Sequence, residues 1–178
     1  QVIGTGTAID SARLQNMIAQ TVNVDPRSVH AYSMGEHGDS QMVPWSTVTI
    51  AGKPFYDVIA DNKELVGDVD LDELVYRTTQ EGWEIFNRKG TTYYGIATAC
   101  VGVIKAILND ENRIIPVSTL LEGEYGERNV YAGVPTVLNR SGAYDVLEIH
   151  MTPGELARFK ESTRVIREYT DRIMKLNL

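Results

Sequence analysis

The stretch "GTGTAIDSARLQNMIAQTV", residues 4–22, places a glycine-rich turn directly before the first helical pattern of the chain. The apolar run at 1–4 predicts a short buried strand that leads into this turn. Side chains on one face of the helix then recur with helical spacing, namely Leu14, Met17, Ile18 and Thr21. Either Asp10 or Ser11 can cap the start of this helix, and Asp25-Pro26 predicts its end.

Strand and helix patterns alternate from this stretch toward the middle of the chain. Strands are predicted at 29–35 and 42–50, where β-branched residues are frequent. A helix is predicted from Asp70 to about Lys89. A second helix is predicted over 91–110, and its thin polar face predicts burial on several sides.

The last third of the chain predicts a sheet followed by a helix. Three strand-like runs at 113–121, 129–139 and 144–149 are typical of an antiparallel meander. The final helix begins at Pro153, where a capping box is predicted. Its apolar stripe consists of Leu156, Phe159, Ile166, Tyr169, Ile173 and Leu176. The whole pattern predicts one α+β domain over residues 1–178.

The composition excludes several classes of function. The net charge is -7 and the basic residues are scattered, whereas nucleic-acid binding needs a clustered basic surface. No apolar run approaches the roughly 18 residues of a membrane span. The single cysteine, Cys100, permits no disulfide framework and fits a reducing compartment. The chain begins with Gln1 rather than Met, so we expect that an N-terminal part precedes it.

The segment "MGEHGDSQ", residues 34–41, places one histidine between two glycines. Gly35 and Gly38 let the backbone bend sharply around His37. Imidazole titrates near neutral pH, so it can donate and accept protons once a carboxylate orients one ring nitrogen. Glu36 and Asp39 are near in sequence, but acids in a loop often face solvent. No two histidines have i, i+4 spacing and none has a nearby cysteine, so no metal site is expected.

A carboxylate and a guanidinium lie three residues apart in the first helix. Asp10 and Arg13 therefore share a helix face, and Arg13 has the planar fork that matches a carboxylate. Spacing alone favours an ordinary local ion pair. The "GTGT" turn is not a dinucleotide fingerprint, because Ile9 stands where the third glycine is required.

Two longer segments together resemble the L-lactate dehydrogenase family of the lactate/malate dehydrogenase superfamily. They are "GTGTAIDSARLQ" at 4–15 and "VHAYSMGEHGDSQMVPWS" at 29–46. "KGTTYYGIATA", "AILNDEN" and "GEYGERNVYAGVPTVLNRSG" extend the likeness over essentially the whole chain. The resemblance is to the C-terminal, substrate-binding half and implies its α+β fold of antiparallel strands and long packed helices. The family's NAD-binding Rossmann domain precedes this half and is expected to be absent from this chain.

The resemblance implies NAD-dependent interconversion of pyruvate and L-lactate. His37 matches the proton donor and acceptor, Asp10 the carboxylate that orients it, and Arg13 the arginine that grips the substrate carboxylate. Thr92 matches a substrate-pocket threonine that favours lactate over malate, and Ile96 an apolar residue against the nicotinamide. A cytoplasmic homotetramer that acts on a small 2-oxo or 2-hydroxy acid is also implied, without a nucleic-acid or membrane partner.

Some positions depart from the family pattern. Gln15 stands where many bacterial members have an arginine that binds a sugar bisphosphate together with a histidine, here His30, so activation by fructose bisphosphate stays open. Ala8 and Ile9 replace the commoner Asn-Leu. L-2-hydroxyisocaproate dehydrogenases share the "VIGTGT" opening, so that activity, malate dehydrogenase activity and a stand-alone binding or assembly domain remain alternatives. Because the cofactor domain and substrate loop would lie elsewhere, we expect this chain alone to be inactive.

Overall fold

The first helix, α1 (Gly6–Val22), packs against most other parts of the domain in the computed structural model, which describes residues 2–176. It begins four residues before Asp10, so the prediction that Asp10 or Ser11 caps it is wrong. Thr5 is the N-cap residue but makes no side-chain capping hydrogen bond, and its Oγ1 lies 3.7 Å from Cys100 Sγ instead. Asn23 ends the helix in the left-handed conformation, with φ of 54°, before the predicted Asp25-Pro26 stop.

The strands form two separate antiparallel sheets of three strands each. The small sheet has the order β1-β2-β3, and the large sheet has the order β4-β5-β6. The large sheet confirms the predicted meander, with Val117 opposite Val134 in its first pair. The strand bounds are β1 (Val29–His30), β2 (Thr49–Ile50), β3 (Lys53–Pro54), β4 (Arg113–Glu122), β5 (Arg128–Asn139) and β6 (Gly142–Val146).

Five further α-helices lie within residues 2–176, and two of them, α2 and α3, lie in a segment for which no helix or strand was predicted. The helix bounds are α2 (Phe55–Asp61), α3 (Lys63–Val66), α4 (Leu71–Lys89), α5 (Tyr93–Leu108) and α6 (Pro153–Lys175). Asp70 caps α4 by accepting from the backbone N–H groups of Asp72 and Glu73. The predicted capping box of α6 is present between Thr152 and Glu155. Both predicted helix starts are therefore confirmed.

Three predicted strands are wrong or only partly formed. Gly4 pairs with Ser118 as an isolated bridge and Val2 is exposed, so 2–4 is not a buried strand; Gln1 lies outside the described residues. In 29–35 only β1 and isolated bridges at Met34 and Gly35 form. Most of 42–50 is irregular, because a 3-10 turn over Trp45–Thr47 places the indole against Phe55, with ring centroids 5.7 Å apart.

The buried side chains form three clusters around α1 and the large sheet. One lies under α1, α2 and α4 and includes Leu14, Ile18 and Phe55. A second lies between β5 and α6 around Phe159, and a third lies between β4 and α5 around Val117. The first cluster holds α1 against α4, and these two helices, together with α5 and the loop at 34–42, provide the candidate site.

Two helices bury less of their apolar surface than the sequence predicts. On α5 only Val103 and Ala106 are buried, while apolar neighbours such as Ile104 are exposed, so burial on several sides is wrong within this domain. On α6 the predicted stripe is buried at Phe159 but exposed at Tyr169, Ile173 and Leu176. The cores reach only one face of α5 and only the first half of α6.

Candidate active site

Asp10 and His37 form a direct hydrogen bond between the second turn of α1 and the loop at 34–42. His37 Nδ1 lies 2.6 Å from Asp10 Oδ2. The Asp10 side chain is only 3% exposed, whereas the His37 side chain is 56% exposed. Because Nδ1 is bonded to the buried carboxylate, Nε2 is the ring nitrogen left for a ligand.

The loop that contains His37 is closed at its base by backbone pairing. Met34 and Met42 exchange two hydrogen bonds of 2.8 and 3.0 Å. Gly35 and Gly133 exchange two more, both of 2.8 Å, which fastens the loop to β5. The loop is therefore an ordered extension of the large sheet.

Gly6, the first residue of α1, allows the imidazole to lie directly on the helix. A Cβ atom at this position would come 2.2 Å from His37 Cγ and 2.4 Å from Cδ2. Real atoms do not approach so closely, so any other residue would push the ring away. The sequence shows a glycine here, but its pattern indicated only a tight turn and not contact with a histidine 31 positions away.

The electrostatic surroundings favour the protonated imidazole. The hydrogen bond that His37 Nδ1–H donates to Asp10 raises the pKa of His37 above its ordinary value, and the charges of Asp10 and Glu36 act in the same direction. Partial burial and the positive charge of Arg13 oppose this rise. The ring is thus held ready to donate a proton near neutral pH.

Arg13 is placed beside the same carboxylate and faces the pocket. Its Nη1 donates to Asp10 Oδ1 over 3.4 Å, a long bond, and among residues 2–176 the rest of the guanidinium makes no hydrogen bond. The side chain is 13% exposed and lies against α4. A Cβ at Gly82 would lie 3.1 Å from Nη1, so the glycine gives the guanidinium its space. Asp10 therefore links the histidine and the arginine.

A pocket of about 520 Å³ contains these three side chains and two other predicted site residues. Thr92 and Ile96, at the start of α5, line it beside Ile9. Thr92 is the N-cap residue of α5 but makes no side-chain cap, so its hydroxyl remains available. The structure thus brings together His37, Asp10, Arg13, Thr92 and Ile96, which are up to 86 positions apart in sequence.

The opposite side of the pocket includes two aromatic residues that the sequence did not identify as functional. Trp83 and Phe86 of α4 are 59% and 47% exposed, and their rings form an edge-to-face pair with centroids 6.1 Å apart. The helical pattern from Asp70 to Lys89 predicted only that both residues belong to a helix. Exposure of two large aromatic side chains at a pocket is the signal that separates them from ordinary core residues.

Comparison with known proteins identifies the family. The family model of the lactate/malate dehydrogenase alpha/beta C-terminal domain matches residues 7–176. The chain belongs to this family. It is 49% identical to L-lactate dehydrogenase 3 of Bacillus cereus, over 95% of this chain and 54% of that protein. It is 45% identical to L-lactate dehydrogenase 1 of Bifidobacterium longum, over 98% of this chain and 55% of that protein.

Solved structures of the same family agree with the fold. The minor L-lactate dehydrogenase of Enterococcus mundtii in its ligand-bound form superposes with a TM-score of 0.91 at 39% identity, covering 97% of this chain and 55% of that chain. A lactate dehydrogenase from a Medee basin deep-sea metagenome library also gives 0.91, at 41% identity, with 96% and 55% covered. The chain spans about half the length of the relatives it matches.

The two predicted allosteric residues of this family member lie outside the pocket. Gln15 and His30 line a neighbouring groove of about 860 Å³ between α1, α5 and β4. Gln15 Nε2 donates to the Ala31 carbonyl over 3.0 Å and His30 is exposed. Glu81 lines the same groove, and its Oε2 is buried without a hydrogen-bond partner among residues 2–176.

Two other features are absent from residues 2–176. No group of three or more His, Cys, Asp or Glu side chains is placed to hold a metal ion. No helix in this range has both the length and the apolar character needed to cross a membrane.

Proposed function

We propose that this chain is the substrate-binding half of an NAD-dependent L-lactate dehydrogenase that interconverts pyruvate and L-lactate. The observation that supports it best is one buried carboxylate, Asp10, hydrogen-bonded both to His37 and to Arg13 within one pocket. Because the chain spans about half the length of its relatives, the complete activity is proposed for a protein that joins this chain to a nucleotide-binding half.

The proposed mechanism begins with the substrate carboxylate. Arg13 presents its free fork to that group and fixes the orientation of the ketone. Protonated His37 then donates a hydrogen bond from Nε2 to the ketone oxygen. As the carbonyl is reduced, this oxygen gains negative charge and takes the proton. Oxidation of lactate returns the proton to His37.

Asp10 has two roles in this proposal. It fixes the tautomer and position of the imidazole, and it stabilises the charged ring that binds the ketone. A non-catalytic binding domain has no need for a buried carboxylate that holds a histidine and an arginine at a pocket. The arrangement therefore favours an enzyme over a stand-alone assembly domain.

An apolar surface in the pocket supports the binding of a flat nicotinamide ring. Ile9 and Ile96 provide this surface beside His37. When bound, NADH would supply the hydride. Ile96 would contact the nicotinamide, and Thr92 would contribute its free hydroxyl to the substrate pocket.

Larger 2-oxo acids are a second candidate class of substrate. Trp83 and Phe86 add apolar surface to a pocket of about 520 Å³, which a branched side chain would contact better than a methyl group. This observation supports the alternative of an L-2-hydroxyisocaproate dehydrogenase.

We also propose a cytoplasmic homotetramer. Exposed apolar residues on α5, such as Val101, Ile104 and Leu108, support burial against other subunits or domains.

The test is the rate of NADH oxidation by the complete protein with pyruvate, oxaloacetate and 2-oxoisocaproate. We expect kcat/KM to be highest with pyruvate. A higher value with 2-oxoisocaproate or oxaloacetate would reassign the substrate, and no reaction with any of the three would refute the dehydrogenase proposal. Steady NADH oxidation by the pure 178-residue chain would contradict the two-half arrangement.

A further inference from the structure

Glu36, the acid directly before His37, does not bind the imidazole. Its carboxylate crosses the inside of the loop, where Oε2 accepts from Ser40 N over 3.1 Å and from Ser40 Oγ over 2.5 Å. Gly38 allows this path, because a Cβ there would lie 2.9 Å from Glu36 Cδ. The loop therefore has an internal bridge between Glu36 and Ser40.

Helix α6 contacts this bridge through one buried serine. Ser162 is fully buried, and its hydroxyl accepts from Glu36 N–H over 2.8 Å. The same Oγ lies 3.2 Å from Ser40 Oγ. Gly35 has φ of +87°, and a Cβ there would lie 2.3 Å from Ser162 Oγ. Gly35 thus leaves space for the Ser162 hydroxyl, and Gly38 leaves space for the Glu36 carboxylate.

We propose that Ser162, together with Glu36 and Ser40, forms a loop clamp that fixes the backbone of His37 and thereby the distance from the imidazole to Asp10. Ser162 is a positioning residue, since it touches neither the ring nor the pocket. The expected effect of the clamp on turnover rests on the proposed function, whereas its effect on the position of the His37 ring does not.

The clamp matters because the imidazole has little other support. Within residues 2–176 the only hydrogen-bond partner of the ring is Asp10, and more than half of the side chain is exposed. The backbone pairs at Met34 and Gly35 hold the base of the loop but not its tip. At the tip, Glu36 N–H is the backbone donor next to His37, and its acceptor is Ser162.

The experiment is an NMR titration of the His37 ring in the 178-residue chain. The charged groups that act on this ring are Asp10, Arg13 and Glu36, so the test variants leave all three unchanged. Ser162→Ala removes the central hydroxyl, and Ser40→Ala removes one arm. Thr163→Val is the matched control, because the Thr163 hydroxyl is buried on the same helix but bonds only to the Lys160 carbonyl.

We expect Ser162→Ala to lower the pKa of His37, because a looser loop weakens the bond to Asp10. Ser40→Ala should lower it less, and Thr163→Val should leave it unchanged. An unchanged pKa in both serine variants, or an equal fall in the control, overturns the proposal. If Ser162→Ala does not fold, Ser40→Ala, at a half-buried site, decides in the same way.

A second readout uses turnover of the complete protein. If the proposed function is correct, Ser162→Ala should lower kcat with pyruvate severalfold and leave KM close to its original value, because Arg13 is untouched. A changed pKa without any enzyme activity in the parent protein would support the clamp and reject the proposed function. A changed KM with constant kcat would contradict the clamp.

Discussion

The two sides of the candidate pocket are built very differently. The fixed wall consists of α1 and the loop at 34–42, and it contains the buried Asp10 and the bonded His37. The exposed wall consists of the facing sides of α4 and α5, where only Leu74, Thr78, Val103 and Ala106 are buried along both helices. The proposed proton-transfer groups lie on the fixed wall, and Trp83, Phe86, Thr92 and Ile96 lie on the exposed wall.

The difference follows from hydrogen bonding. On the fixed wall, Ser11 Oγ donates to Thr7 O over 2.7 Å and accepts from Ser33 N over 2.8 Å. Ser33 Oγ then donates to Gln41 Oε1 over 2.6 Å. A fully satisfied buried network is rigid. Hydrogen bonds thus fix the positions of the side chains on the fixed wall. The exposed wall instead presents apolar surface to a ligand or another domain.

The largest effect should come from His37→Ala on the fixed wall. It removes the proton donor, so we expect kcat/KM of the complete protein with pyruvate to fall about a thousandfold. NADH binding, measured by fluorescence titration, should stay largely intact. Unchanged turnover would show that the fixed wall has no catalytic role.

The next largest effect should come from Gly6→Ala. The new Cβ would overlap His37 Cγ at 2.2 Å, so the ring must move although His37 and Asp10 remain. We expect turnover to fall about a hundredfold, the typical cost of a misplacement near 1 Å. Gly102→Ala on α5 is the control, because nothing lies within 4 Å of its Cβ position. Equal losses in both variants would show that helix glycines matter for stability rather than for the ring.

Arg13→Lys tests the residue that reaches from the fixed wall to α4. The charge stays but the planar fork is lost, so we expect KM for pyruvate to rise about 10- to 100-fold, with a smaller change in kcat. Steady-state kinetics over a range of pyruvate concentrations measures both. Wild-type KM would show that the guanidinium does not grip the substrate carboxylate.

A pair of stability variants compares the two walls directly. Trp83→Ala on the exposed wall should change the free energy of unfolding by less than about 0.5 kcal/mol, because the side chain is largely solvated. Ile9→Val on the fixed wall removes one buried methyl and should cost about 1 kcal/mol. Urea unfolding of the chain measures both. A larger loss for Trp83→Ala would mean that the exposed wall is packed more firmly than its exposure indicates.

The smallest effect concerns pH. Asp10 raises the pKa of His37 in the folded chain, so the pair stabilises the fold fully below the unfolded pKa of His37. This stabilisation is lost as pH rises through the raised folded value. The difference in unfolding free energy between wild type and His37→Gln should therefore be larger near pH 5.5 than near pH 9, although small because solvent screens the half-exposed ring. A difference that grows with pH would have the wrong sign.

Much of the large-scale organisation was predictable because it depends on local signals. The spacing of Leu14, Met17 and Ile18 marks α1, and the proline and capping box mark the start of α6. The strand predicted at 42–50 is mostly absent, because the frequency of β-branched residues does not show that Trp45 turns inward and stacks on Phe55. The apolar pattern of α5 correctly predicted a helix. Periodicity does not show whether the surface that covers its apolar side chains belongs to the same domain.

The family, the residue types of the proposed site, the order of the main helices and the strands of the large sheet could be predicted from the amino-acid sequence alone. Motifs and periodicity depend on residues that are close together in the chain, so they can be recognised without the structure. The family resemblance implied that Asp10 orients His37, but it did not locate the contacts around them. The tertiary structure places Gly6 where it makes room for the ring and Glu36 where it bonds within the loop rather than to the imidazole. It also places Ser162 where its hydroxyl accepts from the Glu36 N–H. The contacts of His37 with Asp10 and of Glu36 with Ser162 join positions 27 and 126 residues apart, so they form only when α1, α6 and the loop at 34–42 come together in the folded chain.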